Sequence, residues 1–93
     1  MNEPKVMKVS KGTNPKSLAS AIARELKENG SVIVRAVGLP SVNQACKGII
    51  IANSFVGQRG KYISTRIGFA NINVEAEGEN KEITGIDFHC IET

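Results

Sequence analysis

The stretch "VRAVGLPSVNQACKGIIIAN", residues 34–53, begins like a strand and ends like a packed helix. Its first residues continue a β-branched run, residues 31–37, which is typical of a central strand. "GLPS" then turns the chain, and Ser41 with Gln44 three residues later has the spacing of a capping box. Apolar residues recur at spacings of three and four as far as Val56, which predicts an amphipathic helix. The stretch therefore predicts a strand, a turn and a helix.

Toward the amino terminus, the pattern predicts a first strand and a first helix. Residues 5–10 alternate in side-chain character, as a short strand does. Asn14 can accept a hydrogen bond from a free N–H of the first helical turn, and Pro15 has the φ of the first helical position. Gly30 supplies a left-handed stop after that helix.

Toward the carboxyl terminus, two β-rich runs at residues 61–74 and 83–91 predict a hairpin joined by the polar loop "EAEGENKE". Gly68 predicts a bulge or a close approach, and Phe69 a core position. The order βαβαββ predicts an α/β fold, an α+β sandwich. In it, two helices pack on one face of a four-stranded mixed sheet, because right-handed crossovers place both on the same side. With 93 residues and no linker, we expect a single domain, residues 1–93.

Charge is distributed unevenly along the chain. Residues 1–74 contain eleven Lys or Arg and three Glu, a net charge of +8, whereas residues 75–93 contain six acids and one Lys, a net charge of −5. A basic body with an acidic end is compatible with a polyanion that meets one face only. The alternative is that the two segments neutralise each other on an ordinary surface, and charge alone favours that alternative.

Several classes of protein are not expected. The longest apolar run, residues 48–52, is too short to span a membrane, and two cysteines without a disulfide framework favour a reduced, cytoplasmic setting. His89 adjoins Cys90, and neighbours in a strand point to opposite faces, so a Cys–His nucleophile pair is disfavoured. One histidine and two separated cysteines are too few for a closed metal site. We expect no enzyme, no cofactor, no metal and no small-molecule substrate.

Two nucleic-acid motifs are only half present. "GQRGK", residues 57–61, resembles the G-x-x-G clamp of KH domains, but a strand follows it where that motif has a helix. Arg59 and Lys61 could still meet phosphate. "RIGFAN", residues 66–71, departs from the pattern of an aromatic RNA-recognition strand, and at 4% aromatic residues stacking is not the main mode of binding. Contact with the phosphate backbone is the mode that such a surface supports.

Three segments together resemble the stage V sporulation protein S family: "NPKSLASAIA", "VRAVGLPSVNQACKGIIIA" and "RIGFANINV". The resemblance extends from about Lys5 to Glu92. That family is similar to the Alba archaeal chromatin proteins, whose small domains dimerise and bind DNA or RNA. The resemblance implies an Alba-like, dimeric nucleic-acid-binding regulator linked to sporulation. Carried over by position, it implies a binding surface around the two helix starts, formed by Lys11, Asn14, Lys16, Arg35, Asn43, Gln44 and Lys47.

The hairpin departs from the Alba pattern. Alba proteins extend a basic hairpin arm toward DNA, whereas this tip reads "VEAEGENKE", with four glutamates that phosphate would repel. We therefore do not expect this hairpin to enter a groove. An alternative function is a protein-interaction or assembly module without nucleic-acid binding, suggested by the acidic hairpin and by the wide apolar face of the second helix.

Overall fold

The computed structural model describes residues 3–93, which form two helices and one four-stranded sheet. In chain order the elements are β1 (Lys5–Val9), α1 (Pro15–Asn29), β2 (Ser31–Ala36), α2 (Leu39–Gly57), β3 (Ile63–Ala76) and β4 (Glu79–Glu92). The strands lie in the order β1-β2-β4-β3. β1 and β2 are parallel, and β4 is antiparallel to both of its neighbours. The predicted βαβαββ order and mixed sheet are confirmed.

Both helices pack on one face of the sheet, as predicted. On β2, the alternate residues Val32, Val34 and Ala36 are buried. The register places them opposite residues of β4 that point to the same face, because directly paired residues share a face. The buried core comprises Val9, Leu18, Ala19, Ile22, Leu26, Val32, Val34, Ala36, Ala45, Ala52, Val56, Phe88 and Cys90. The other face of the sheet has no helix on it within the described residues.

The two helices approach each other most closely at Gly48. A Cβ atom at that position would lie 2.5 Å from Cδ2 and 2.9 Å from Cγ of Leu18, which is buried in the core. Any side chain at position 48 would therefore displace Leu18 or separate the helices. This contact fixes how the start of α1 lies beside the middle of α2.

The start of α2 differs from the prediction. The helix begins at Leu39, after Gly38 adopts a φ of 85°, and no side chain caps it. Ser41 already lies inside the helix and is buried, so the predicted capping box with Gln44 is wrong. The physical reason is that glycine turns the chain earlier and Pro40 is accepted in the first turn, where its missing N–H costs nothing. Gln44 donates its amide N–H to the carbonyl of Thr13 instead, at 2.8 Å.

The hairpin is longer than predicted. β3 and β4 pair without interruption through the expected polar loop, as far as Ala76 opposite Glu79. Glu77 and Gly78, with φ of 54° and 76°, form a two-residue turn of the type whose twist matches that of a hairpin. Because β2 ends opposite Ile86, the ribbon beyond it has no third strand. We call residues 71–84 the arm.

The predictions for Gly68 and Phe69 are wrong. The β3–β4 register passes through Gly68 without a bulge, and a Cβ there would meet nothing within 4 Å. Phe69 is 82% exposed, although its partner Ile86 packs against the core. β3 is the outer strand of the sheet. A side chain of β3 can therefore point to the helix-bearing face and still be exposed, because the helices do not cover that edge.

Candidate nucleic-acid interface

Both helices begin at the same edge of the sheet. β1 and β2 are parallel, and each is followed by one of the helices, so both helix starts lie at the carboxyl ends of these strands. The hydrogen bond from Gln44 to the carbonyl of Thr13 joins the start of α2 to the turn before α1. The side chain of Gln44 is half-buried and its amide is used in this hydrogen bond, so it positions the two helix starts relative to each other.

The start of α1 is capped and free of acidic side chains. The side-chain oxygen of Asn14 accepts from the backbone N–H of Lys16 at 2.9 Å and of Ser17 at 3.1 Å, which confirms the predicted cap. The first turn contains no acidic residue. Lys16 extends from this turn, and Lys11 lies in the exposed turn that precedes the helix. The positive end of the helix dipole and both lysines therefore favour an anion at this edge.

The start of α2 lacks both a side-chain cap and an acidic residue in its first turn. Asn43 and Lys47 are exposed and lie one turn apart on the same face of the helix. A groove of about 430 Å³ joins this face to α1 and is lined by Asn14, Pro15, Lys16, Lys47, Ile50 and Ile51. We call the exposed residues at this edge the helix-start surface: Lys11, Asn14, Lys16, Asn43 and Lys47.

The sequence pattern assigns Ile50 to the wide apolar face of the second helix, but that side chain is 69% exposed and lines the groove with Lys47. Helical spacing indicates this position, because residue 50 is three residues beyond Lys47 and seven beyond Asn43 and therefore lies on the same face of the helix.

Arg35 lies away from the helix-start surface. It alternates with the buried residues of β2 and therefore points to the helix-free face of the sheet. Its Nε donates to Oδ1 of Asp87 at 2.8 Å and its terminal nitrogen donates to Oδ2 at 2.9 Å. This hydrogen-bonded pairing raises the pKa of Arg35 from its already high ordinary value. Both oxygens of Asp87, whose side chain is only 7% exposed, are engaged by one guanidinium.

Arg59 and Lys61 are also remote from the helix-start surface. They follow the last residue of α2, which lies roughly 15 Å along the helix axis from Lys47. Arg59 is paired with Glu92 at the end of β4. The structure thus brings together six of the nine predicted residues: Lys11, Asn14, Lys16, Asn43, Gln44 and Lys47.

The cysteines and the histidine do not converge. Cys90 is buried on the helix-bearing face, where burial raises the pKa of its thiol, whereas Cys46 is exposed on α2. His89 points to the opposite face from Cys90. Among residues 3–93, no three His, Cys, Asp or Glu side chains are grouped so that they could hold a metal ion. No helix in that range is long and apolar enough to cross a membrane.

Comparisons with known proteins agree with this architecture. The family model described as Stage V sporulation protein S (SpoVS) matches residues 5–92. Among solved structures, the chain is similar to "Alba from Thermoplasma volcanium", with a TM-score of 0.63 at 12% sequence identity. The match covers 92% of this chain and 98% of that chain. At this identity the likeness concerns the fold, and the predicted Alba-like fold is confirmed.

Proposed function

The chain belongs to the stage V sporulation protein S family, and we propose that it is a non-enzymatic regulator that binds the phosphate backbone of DNA or RNA as a dimer. The family and the Alba-like fold fit a regulatory role in sporulation. The observation that supports nucleic-acid binding is the helix-start surface, where three lysines surround two helix N-termini without an acidic residue in either first turn.

This surface favours phosphate over base recognition. Lysine side chains and helix N-termini attract phosphate oxygens, and such contacts position a protein on nucleic acid without reading its sequence. Asn43 can add a neutral hydrogen bond, and Ile50 an apolar contact. No aromatic side chain lines the groove between the helices. We therefore propose binding with little sequence preference and with a steep dependence on salt.

In this proposal Arg35 and Arg59 are not primary phosphate contacts. Each guanidinium is engaged by a carboxylate, Asp87 and Glu92 respectively, so phosphate would have to displace an existing partner. Lys61 is exposed, but it lies at the far end of α2. We assign the primary phosphate contacts to Lys11, Lys16 and Lys47, which face solvent at one edge.

The dimer in this proposal is supported by apolar side chains on the outer strand. Ile67 and Phe69 are 62% and 82% exposed on neighbouring positions of the same face of β3. A second copy of this chain would cover them and relieve the shortage of core that a domain of this size has. The test is a molar mass by light scattering. The wild-type protein should have twice the chain mass, and Phe69→Glu should have the mass of one chain while it stays folded.

Binding itself is tested by fluorescence anisotropy with labelled duplex DNA, single-stranded DNA and duplex RNA at several salt concentrations. We expect association at low salt and a linear fall in log K with log salt concentration. Absence of binding to all three probes at low salt would refute the proposal, provided that circular dichroism shows a folded protein.

The arm supports a second candidate function, a protein-interaction module. Its glutamates Glu75, Glu77, Glu79 and Glu82 are exposed on a ribbon without a third strand. A pull-down from extract treated with nuclease separates the two functions. A specific protein partner that is retained by the wild type, and lost when the four glutamates become glutamine, would favour the second candidate. Loss of every partner on nuclease treatment would favour nucleic-acid binding.

A further inference from the structure

The helix-free face of the sheet contains a cavity of about 470 Å³. Two adjacent cross-strand rows line it. Ile33, His89 and Arg66 form one row, and Ser31, Ile91 and Ser64 form the next. Because directly paired residues share a face, all six side chains are directed toward the same side of the sheet, away from the core. The cavity thus lies on the opposite side of the sheet from the helices.

Arg66 and His89 form a cross-strand pair at one side of this cavity. Arg66 is exposed and makes no salt bridge within residues 3–93. His89 is half-buried, and its ring makes no hydrogen bond to a residue in that range. Asp87, the next residue of β4 on this face, accepts hydrogen bonds from Nε and one terminal nitrogen of Arg35. The cavity therefore has a guanidinium and an imidazole without an acidic partner of their own.

The rest of the cavity is mixed in character. Ile33 and Ile91 provide apolar surface, and Ser31 and Ser64 provide hydroxyl groups next to it. A half-enclosed cavity of this size, largely apolar with a few convergent polar groups, is the usual form of a small-ligand site. Arginine is suited to the anionic part of such a ligand, because its planar fork matches phosphate and carboxylate oxygens.

We propose that this cavity binds a small ligand that combines a phosphate or carboxylate group with a flat, partly apolar body. The anionic group would be held by Arg66 and His89, and the body would lie against Ile33 and Ile91. The site is distinct from the helix-start surface, because the two share no lining residue. The inference is independent of the proposed nucleic-acid function.

The chain has a single histidine, so one imidazole signal in a proton NMR spectrum reports directly on the cavity. The probes are inorganic phosphate, acetate and adenosine monophosphate, each added at constant ionic strength and pH. We expect saturable shifts of the His89 signal, with adenosine monophosphate binding more tightly than phosphate or acetate because its base covers the apolar surface. Phosphate and acetate distinguish the two possible anionic groups.

Matched variants assign the shifts. Arg66→Ala should weaken binding of adenosine monophosphate about tenfold or more, the ratio expected for losing a charge-assisted hydrogen bond. Arg24→Ala, an exposed arginine on α1, should leave it unchanged. Because the histidine is absent from His89→Gln, its binding is followed by amide shifts at Ile33 and Ile91, and it should also be weakened. Wild-type affinity for duplex DNA in Arg66→Ala would show that the two sites are separate.

Four results would overturn the proposal. The first is the absence of a saturable shift with any of the three probes, and the second is an unchanged affinity in Arg66→Ala. The third is a shift caused by a single-stranded oligonucleotide but not by adenosine monophosphate, which would assign this face to nucleic acid. The fourth is equal affinity for phosphate and adenosine monophosphate, which would exclude a role for the apolar surface.

Discussion

The arm and the rest of the molecule, which we call the body, differ in what holds them together. In the body, both helices and the face of the sheet beneath them enclose a continuous core, and the lysines at the helix starts are placed by that packing. The arm consists of two strands that pair only with each other, and almost all of its side chains are exposed. The arm, residues 71–84, contains four Glu and one Lys, a net charge of −3, whereas the rest of the chain contains eleven Lys or Arg and five acids, a net charge of +6.

The difference in charge indicates which parts of this fold suit contact with nucleic acid. Four glutamates in the arm would be repelled by phosphate. The helix starts retain lysines and lack acidic residues in their first turns. In our account the body alone contacts the phosphate backbone, and the arm remains outside the complex or meets a different partner.

The largest effect is expected where the two helices touch. Gly48→Val places a branched side chain against Leu18, where a Cβ atom alone would already overlap with the leucine side chain. We expect a loss of about 3 kcal/mol in the free energy of unfolding, measured by urea denaturation, because a packed core resists extra volume. Gly68→Val is the control on the outer strand, where a Cβ meets nothing within 4 Å. Equal destabilisation by both substitutions would contradict the described contact.

An intermediate effect is expected at the ion pair on the helix-free face. Asp87→Asn leaves the guanidinium of Arg35 with a neutral partner, and we expect a loss of about 1 to 2 kcal/mol, since Arg35 keeps access to solvent. Glu82→Gln in the arm is the matched control and should change stability by less than about 0.5 kcal/mol. If the two variants were equally stable in urea, the Arg35–Asp87 pair would have no structural role.

The smallest effect on stability is expected in the arm. Changing Glu75, Glu77, Glu79 and Glu82 to glutamine removes four exposed charges without removing a packed side chain. We expect the free energy of unfolding to change by less than about 1 kcal/mol. Affinity for duplex DNA should rise a few-fold, because the repulsion of phosphate is removed. A fall in affinity would mean that the arm contacts the nucleic acid directly.

Local signals in the sequence predicted much of this fold. The cap at Asn14 was predictable because it depends only on the backbone N–H groups two and three residues later, and the element order follows from periodicity. The capping box at Ser41 failed because the same residues could start a helix in two ways, and Gly38 with Pro40 favoured the earlier start. The length of the arm depended on a two-residue turn hidden in a longer polar segment.

The candidate site was predictable only where neighbours in sequence are neighbours in space. Asn43 and Lys47 share a helical face, which their spacing indicates. The partner of Arg35, by contrast, is 52 residues away and is brought beside it by the β2–β4 register, which no local pattern specifies. The pairing of Arg66 with His89 depends on the β3–β4 register in the same way.

Phosphate contact by the helix-start surface is tested most directly by the salt dependence of duplex DNA binding, compared between the wild type, Lys16→Ala, Lys47→Ala and Lys27→Ala. Lys27 lies in the last turn of α1, roughly 16 Å along the helix from Lys16, and serves as the control. We expect Lys16→Ala and Lys47→Ala each to reduce the slope of log K against log salt by about one for each binding surface, while Lys27→Ala leaves the slope unchanged. Equal slopes for all four proteins would contradict phosphate contact by this surface.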